Sequence, residues 1–234
     1  MQDYLLRNNI FWCDVGDGLI FLDLHSERYF SLPRADCISL SKFVKGWPAC
    51  SEATLAAVNS QVAESLVKRG LLTQDLQLGK PMEEVRVKVL DAIEPAGRTL
   101  EGESRIRFQH AVRFAMSYCM VSARMRVLGF ESVILGLKRR NTYLANNRYS
   151  DPVNLKSVLN AFQRIRPLFY TARDRCLVDC LVLIEFLQRS GITANLVIGV
   201  EVRPFTAHAW VQHEGTVLTD WRANVQDLTP ILVV

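Results

Sequence analysis

The sequence predicts an α+β protein with two domains, and three observations support this. Short apolar runs rich in aromatic and β-branched residues come first, and apolar residues at helical spacing follow them. A polar stretch with Gly and Pro then interrupts the pattern. After it, long helical patterns lead to strand-like alternation. We therefore expect a first domain over 1–75, a linker over 76–104 and a second domain over 105–234.

The first domain is predicted to contain three strands followed by three short helices. Its apolar runs "NIFWCDV", "GLIFLDL" and "RYFSL" are separated by "GDG" and "HSE", which is typical of a meander. Past Pro33, helical spacing runs through "ADCISLSKFVKGW" and "SEATLAAVNSQVAESLVKRGLL". Ser51 or Thr54 can cap the start of the second stretch, and Gly70 ends its last helix. The linker is predicted to hold at most one strand, in "VRVKVL".

The second domain is predicted to begin with helices and to end with strands. Apolar residues three and four apart, with arginines on other faces, mark the helices "RIRFQHAVRFAMSYCMVSARMRVLG", "FESVILGLKRRN" and "NLKSVLNAFQRIRPLF". A further amphipathic helix lies in "DRCLVDCLVLIEFLQRSGI". Strand-like segments follow it in "ANLVIGVEV", "AHAWVQH" and "GTVLTDW". A helix followed directly by three strands is the expected arrangement.

Composition excludes several classes of protein. The chain has 234 residues, of which 49% are hydrophobic and 22% charged, so it can build a core and is not disordered. Its six cysteines are scattered and are not needed for stability, so we expect reduced thiols. The first residues lack the basic flank and apolar run of a signal peptide, and no uncharged stretch is long enough to span a membrane. We expect a cytoplasmic protein.

Charge is uneven along the chain. Residues 101–175 carry 14 basic and 5 acidic groups, whereas residues 1–80 carry 8 basic and 9 acidic groups. The basic segment either attracts a nucleotide, an acidic peptide or a partner protein, or consists of solvated helix faces. The first domain lacks the basic footprint of a nucleic-acid-binding domain. No Gly-rich phosphate loop occurs in the sequence.

Two cysteines four residues apart share one face of the predicted helix, and only one of them is expected to be reactive. Asp174 is a natural N-cap, which would place Cys176 in the first turn, where the positive end of the helix dipole favours a thiolate. Cys180 lies one turn further along, where that effect has faded. We therefore predict that Cys176 is a nucleophile and that Cys180 is a core residue.

A nucleophilic thiol needs a base, and His208 is the candidate. It lies on a predicted strand 32 residues after Cys176, and its alternation partners are Trp210 and Gln212. A short hairpin would place Asp220, 12 residues later, on the next antiparallel strand, where its carboxylate can orient the imidazole. A metal site formed by the two cysteines and His208 is a weaker alternative. Of the nearby tryptophans, Trp210 and Trp221 are expected to be packing residues.

The motifs "LVIGV", "PF" and "AHAWV" and the Asp of "VLTDW" resemble the leader-peptide-cleaving B proteins of lasso peptide biosynthesis. These belong to a transglutaminase-like, papain-like cysteine protease superfamily, and the resemblance covers roughly residues 176–221. The first domain is similar to the winged-helix-like recognition element, of the PqqD type, that binds leaders of ribosomally made natural products. One departure is that the family often has a basic residue and a serine where this chain has Asp179 and Cys180.

The resemblance implies a function and its residues. Cys176, His208 and Asp220 would be the catalytic residues of a peptidase that removes a leader before ring closure. The partners would be a lasso precursor peptide and an asparagine synthetase-like lasso cyclase, with no nucleic acid and no membrane. No covalent cofactor and no metal are expected. Any ATP dependence would act through the cyclase or through arginines such as Arg139 and Arg140.

Leader binding would use the first domain, where a peptide can add as a strand beside "RYFSL" and the last helix. Tyr29, Phe30 and Leu66 are the candidate leader-binding residues. Two other functions stay open. The chain could be a peptide-binding scaffold, or it could be an amide-forming transglutaminase-like acyltransferase that uses the same three residues with an amine in place of water.

Overall fold

A computed structural model describes residues 4–40, 43–48, 60–85, 87, 91–92, 107–146, 155–170 and 176–234. The chain divides into two compact units, Met1–Arg86 and Val87–Val234. Each unit combines helices with sheet, in agreement with the predicted α+β class. The division falls inside the segment predicted as a linker.

The first unit contains the predicted meander. Strands β2, β3 and β4 pair antiparallel in that order, with Trp12 opposite Phe21 and Phe21 opposite Phe30. Two of the three predicted helices lie in described residues, and the remainder of the predicted helical stretch, with Ser51 and Thr54, lies outside them. The elements are β1 (Leu5–Arg7), β2 (Ile10–Asp14), β3 (Gly18–Asp23), β4 (Arg28–Pro33), α1 (Arg34–Leu40), α2 (Ser60–Lys68), β5 (Leu72–Thr73) and β6 (Gly79–Lys80).

Helix α2 ends as the sequence predicts. Gly70 follows it with a φ of 75°, a left-handed conformation that glycine adopts without steric cost. The chain then turns back, and the N–H of Leu71 donates to the carbonyl of Leu66 at 2.9 Å. Apolar residues of the meander and of both helices pack into one core, which includes Trp12, Phe21, Leu40, Trp47 and Leu66.

A second small sheet was not predicted. Strand β1 pairs antiparallel with β5 on one side and with β6 on the other, so the order is β5-β1-β6. Met82, just beyond β6, is buried in the core of the first unit. The first residues of the predicted linker therefore belong to this unit. Two-residue strands are too short to show the alternation by which strands are recognised.

The second unit begins with long helices, as predicted. Helix α3 runs through two predicted helices and is kinked between them at Gly129, where φ is 75° and ψ is 170°. Although α3 has 39 residues, no helix in the described part of the chain is long and apolar enough to cross a membrane. The elements are β7 (Asp91–Ala92), α3 (Phe108–Asn146), α4 (Leu155–Ile165), α5 (Cys176–Gln188), β8 (Asn195–Val202), β9 (Phe205–His213), β10 (Thr216–Val217), α6 (Arg222–Val225) and β11 (Thr229–Val233).

The five-stranded sheet of the second unit has the order β11-β8-β9-β10-β7. Helix α5 packs against β9, and β8 pairs with β9 over eight residues, including Gly199 opposite His208. The prediction for "GTVLTDW" is wrong in extent, because only Thr216–Val217 is a strand and the chain then bends. Helix α6 and strand β11 were not predicted. Strand β7 directly follows "VRVKVL", most of which lies outside the described residues.

Candidate active site

Cys176 is the first residue of α5, and the residue is exposed. The His208 ring hydrogen-bonds this thiol, and the backbone N–H groups of Leu177 and Ala209 also donate to it. The hydrogen bond with His208 is the main reason that the pKa of Cys176 lies below its ordinary value, although partial burial works in the opposite direction. The predicted N-cap, Asp174, lies outside the described residues. The thiolate form is thus favoured at Cys176 by its surroundings.

His208 lies on β9 between the thiol and a carboxylate. Its Nε2 is 2.5 Å from Oδ2 of Asp220, which leaves Nδ1 as the ring nitrogen available to Cys176. The hydrogen bond with Cys176 raises the pKa of His208, and the hydrogen bond and charge of Asp220 raise it further, against the effect of burial. The imidazole is therefore held in one orientation by a partner on each ring nitrogen.

Asp220 is brought to His208 by a different element from the one predicted. It lies in the bend after β10 rather than on a strand. Glu214 and Gly215, both with positive φ, turn the chain between β9 and β10. The Oδ1 atom of Asp220 accepts from the N–H of Trp221 at 2.7 Å and from Nδ2 of Asn224 at 2.8 Å.

Asn224 is a site residue that sequence reasoning missed. It lies on the four-residue helix α6, which shows no helical periodicity. The signal that could have revealed it is the spacing of four residues from Asp220, which places two side chains within reach across one helical turn.

Cys180 lies in a different environment from Cys176. Its side chain is 2% exposed, as the prediction of a core residue requires, and its Sγ donates to the carbonyl oxygen of Ala209 at 3.4 Å. Burial is the main reason that the pKa of Cys180 is raised well above its ordinary value. The two thiols of α5 are therefore shifted in opposite directions.

The site connects a thiol on a helix, an imidazole on a strand and a carboxylate through a chain of contacts. This is the arrangement of a cysteine acyl-transfer enzyme. The family described as the transglutaminase-like superfamily matches residues 115–233, which is more than half of the chain and includes all three groups. The chain belongs to the transglutaminase-like superfamily. Such domains indicate cysteine protease or acyltransferase activity in general. No curated protein and no solved structure matches the chain.

Next to Cys176, the transglutaminase-like unit contains a buried carboxylate. Asp179 is 5% exposed and accepts from the Arg166 guanidinium at 2.9 Å and from the Tyr170 hydroxyl at 2.8 Å. Burial and the neighbouring charge of Asp179 raise the pKa of Tyr170, so this hydroxyl stays protonated and donates. The buried carboxylate of Asp179 thus has hydrogen-bond and ion-pair partners within the unit.

A second buried carboxylate uses part of the basic excess of the sequence. Glu185 on α5 forms ion pairs with Arg124 at 3.1 Å, with Arg189 at 3.1 Å and with Arg140. Two of these arginines come from the strongly basic segment 101–175. Some of that charge therefore stabilises the transglutaminase-like unit internally.

The two tryptophans near the site differ. Trp210 is fully buried, packs with Val197, Val217 and Val225, and donates from Nε1 to the Gln212 side chain at 3.3 Å. Trp221 is 48% exposed beside Asp220, so the expectation that it is a packing residue is wrong.

Within the described residues, no group of three or more His, Cys, Asp or Glu side chains could hold a metal ion.

The candidate leader-binding residues lie in the first unit. Tyr29 and Phe30 are half-buried on β4, the outer strand of the described meander, and Phe30 packs against the core. Since side chains alternate along a strand, Tyr29 and Phe30 lie on opposite faces of the sheet. Leu66 on α2 is only 5% exposed and is a core residue, so its side chain offers little surface to a peptide.

Proposed function

We propose that the chain is a cysteine peptidase that cleaves the leader from a ribosomally made lasso precursor peptide. The observation that carries this proposal is the chain of contacts from the Cys176 thiol through His208 to Asp220, together with the lowered pKa of the thiol. A thiolate at neutral pH is the nucleophile that amide cleavage needs. The lasso-like motifs around His208 add the substrate class.

The reaction would proceed by acyl transfer through a thioester. The Cys176 thiolate attacks the carbonyl carbon at the junction of leader and core, and the imidazolium of His208 gives its proton to the departing core amine. Water then attacks the thioester while His208 accepts its proton, which releases the leader as a carboxylic acid and restores the thiol. The backbone N–H of Cys176, at the start of α5, is the proposed donor to the oxyanion.

The first unit would bind the leader, as a winged-helix-like recognition element of the PqqD type. Strand β4 is an outer strand of the described meander, and an extended peptide can pair with such an edge. Tyr29 and Phe30 would contact the peptide, while Leu66 would support the groove from the core. Binding of the leader in one unit raises the effective concentration of the scissile bond near the other.

The proposed partner besides the precursor is a lasso cyclase of the asparagine synthetase-like type, which would close the ring on the released core. Any ATP dependence would act through that cyclase. Direct nucleotide binding by Arg139 and Arg140 has less support, since Arg140 pairs with the buried Glu185. Charge reversal at Arg139, measured by nucleotide titration of the chain with and without the cyclase, separates the two routes.

The test is cleavage of a panel of synthetic lasso precursor peptides with intact leaders, in water labelled with heavy oxygen. We expect two fragments, with label in the new leader carboxyl group, and no product with Cys176→Ala. Failure to cleave any precursor, with or without a cyclase, would overturn the proposed substrate class.

The second candidate function is amide formation by the same residues. Cys176 is exposed, so an amine from solution can reach a thioester formed on it. Added methylamine distinguishes the two reactions. An acyltransferase would give the leader methylamide in place of the labelled acid.

A further inference from the structure

The carboxylate that orients His208 is itself held by a second side chain. Both oxygens of Asp220 have partners: Oδ2 faces Nε2 of His208, and Oδ1 accepts from the N–H of Trp221 and from Nδ2 of Asn224. The Trp221 donor is the adjacent backbone and holds one oxygen only. Apart from the His208 ring, the amide of Asn224 is the side chain that holds this carboxylate among the described contacts.

Helix α6, which carries Asn224, is attached to the core of the second unit. Val225, the next residue, is 1% exposed and packs with Trp210 and Val217. Trp210 lies two residues after His208 on β9. The helix that carries Asn224 and the strand that carries His208 therefore pack into the same core cluster. The backbone at Asn224 is thus fixed relative to His208, although the residue itself is exposed.

We propose that Asn224 is a positioning residue that holds the Asp220 carboxylate in the orientation that pairs with His208. Its described hydrogen bond is to Asp220 and not to the thiol of Cys176. The inference deepens the proposed function and rests on it for its role in catalysis, but the positioning itself is a property of the protein without substrate. A carboxylate released from Asn224 can turn about its side-chain bonds towards solvent, and the imidazole then loses a partner that fixes its ring.

The experiment is the rate of Cys176 alkylation by iodoacetamide as a function of pH, read by peptide mapping, with no substrate present. A weaker pair between His208 and Asp220 leaves less imidazolium beside Cys176. We expect Asn224→Ala to lower the alkylation rate at neutral pH by about tenfold. This is the fold change that corresponds to the loss of one hydrogen bond to a charged group. The midpoint of the profile should move to higher pH.

Two further variants separate positioning from a merely structural role. Asn224→Asp keeps the shape but replaces the N–H donor by a charge that repels Asp220, so we expect a loss at least as large as that of the Ala variant. Gln226→Ala removes an amide from the exposed residue that follows α6 and should leave the profile unchanged. If Asn224→Ala does not fold, Asn224→Asp decides the question.

An independent measurement follows the imidazole directly. With only 4 histidines in the chain, the proton between His208 and Asp220 can be assigned by NMR, with His208→Ala as the reference. We expect its downfield signal to move upfield or to broaden in both Asn224 variants.

The possible outcomes test the two proposals separately. Profiles and signals that match the wild type in both Asn224 variants would overturn the positioning role, even if precursor peptides are cleaved. A shifted profile together with no cleavage of any precursor would retain the positioning role and reject the proposed substrate.

Discussion

The first and second turns of helix α5 place two identical side chains against one residue of β9, and the two side chains differ in chemistry. Cys176 accepts from the N–H of Ala209, whereas Cys180 donates to the carbonyl of the same residue. The first contact favours a thiolate and the second favours a thiol. The same strand backbone thus supports charge at one cysteine and opposes it at the other.

Burial and the imidazole enlarge this difference. The pKa of Cys176 is lowered mainly by its hydrogen bond with His208, and the pKa of Cys180 is raised mainly by burial. One helical turn is about 5 Å long, so reactivity changes over a very short distance. Residue type and helix face are therefore poor guides to reactivity, and the partners of each thiol decide it.

The largest expected effect comes from removing each cysteine in turn. Cys176→Ala should lower acyl transfer by about a thousandfold or more, because it removes the nucleophile. Cys180→Ala is the matched control, one turn away, and should retain activity within about threefold while losing about 1 kcal/mol of stability from a small cavity. Steady-state cleavage and urea unfolding of both variants measure this. Equal loss of activity in folded forms of both variants would contradict the comparison.

The second prediction removes the imidazole. Since the hydrogen bond with His208 lowers the pKa of Cys176, His208→Ala should raise that pKa towards its ordinary value. The alkylation rate of Cys176 at pH 7 should fall by about tenfold or more, the fold change that corresponds to loss of a hydrogen bond to a charged group, because less of the thiol is then ionised. Cys180, which is buried, should stay slow in both proteins. His213→Ala, on the same strand, is the control and should leave the Cys176 profile as it is.

The third prediction concerns the buried charge between the two cysteines. Arg166→Ala should destabilise the second unit by about 3 kcal/mol, because Asp179 would lose its ion-pair partner while still buried. Arg164→Ala, two residues earlier on α4, is the control and should change stability by less than about 1 kcal/mol. Thermal unfolding of the two variants is the measurement. Similar unfolding midpoints of the two variants would show that the buried Asp179 carboxylate does not need the ion pair with Arg166 for the stability of the unit.

The strands and helices that the sequence predicted correctly are those with a periodic pattern. The meander around Phe21 and the strand bearing His208 alternate clearly, and the helices around Gly129 show regular apolar spacing. The small elements β1, β5, β6 and α6 have too few residues for a period. They are set by tertiary contacts, such as the burial of Val225.

In the candidate site, too, the parts that could be predicted are those with a recognisable sequence pattern. The order and spacing of Cys176, His208 and Asp220 could be found from chemistry and family resemblance, and the structure brings the three side chains together. The element that carries Asp220 could not be found, because a bend after a two-residue strand leaves no pattern. Asn224 was missed for the same reason, since its role depends on where a four-residue helix is attached.

The last and smallest effect uses a third thiol, Cys13 of the first unit, where burial acts without an imidazole. Burial, with added repulsion from Asp14 and Glu84, raises the pKa of Cys13 from 9.0 to about 12. Between these pH values the unfolded chain releases the proton and the folded chain retains it, so stability must fall as pH rises, by up to about 1.4 kcal/mol per pH unit. Cys13→Ala removes this contribution. Urea unfolding at pH 8 and pH 10 should therefore show that the variant loses less stability between these pH values than the wild type does. Cys119→Ala, which removes an exposed cysteine, is the control and should lose as much as the wild type. Equal losses in Cys13→Ala and the wild type would mean that burial alone does not hold a thiol protonated in this protein, and the contrast between Cys176 and Cys180 would then have to rest on their hydrogen bonds.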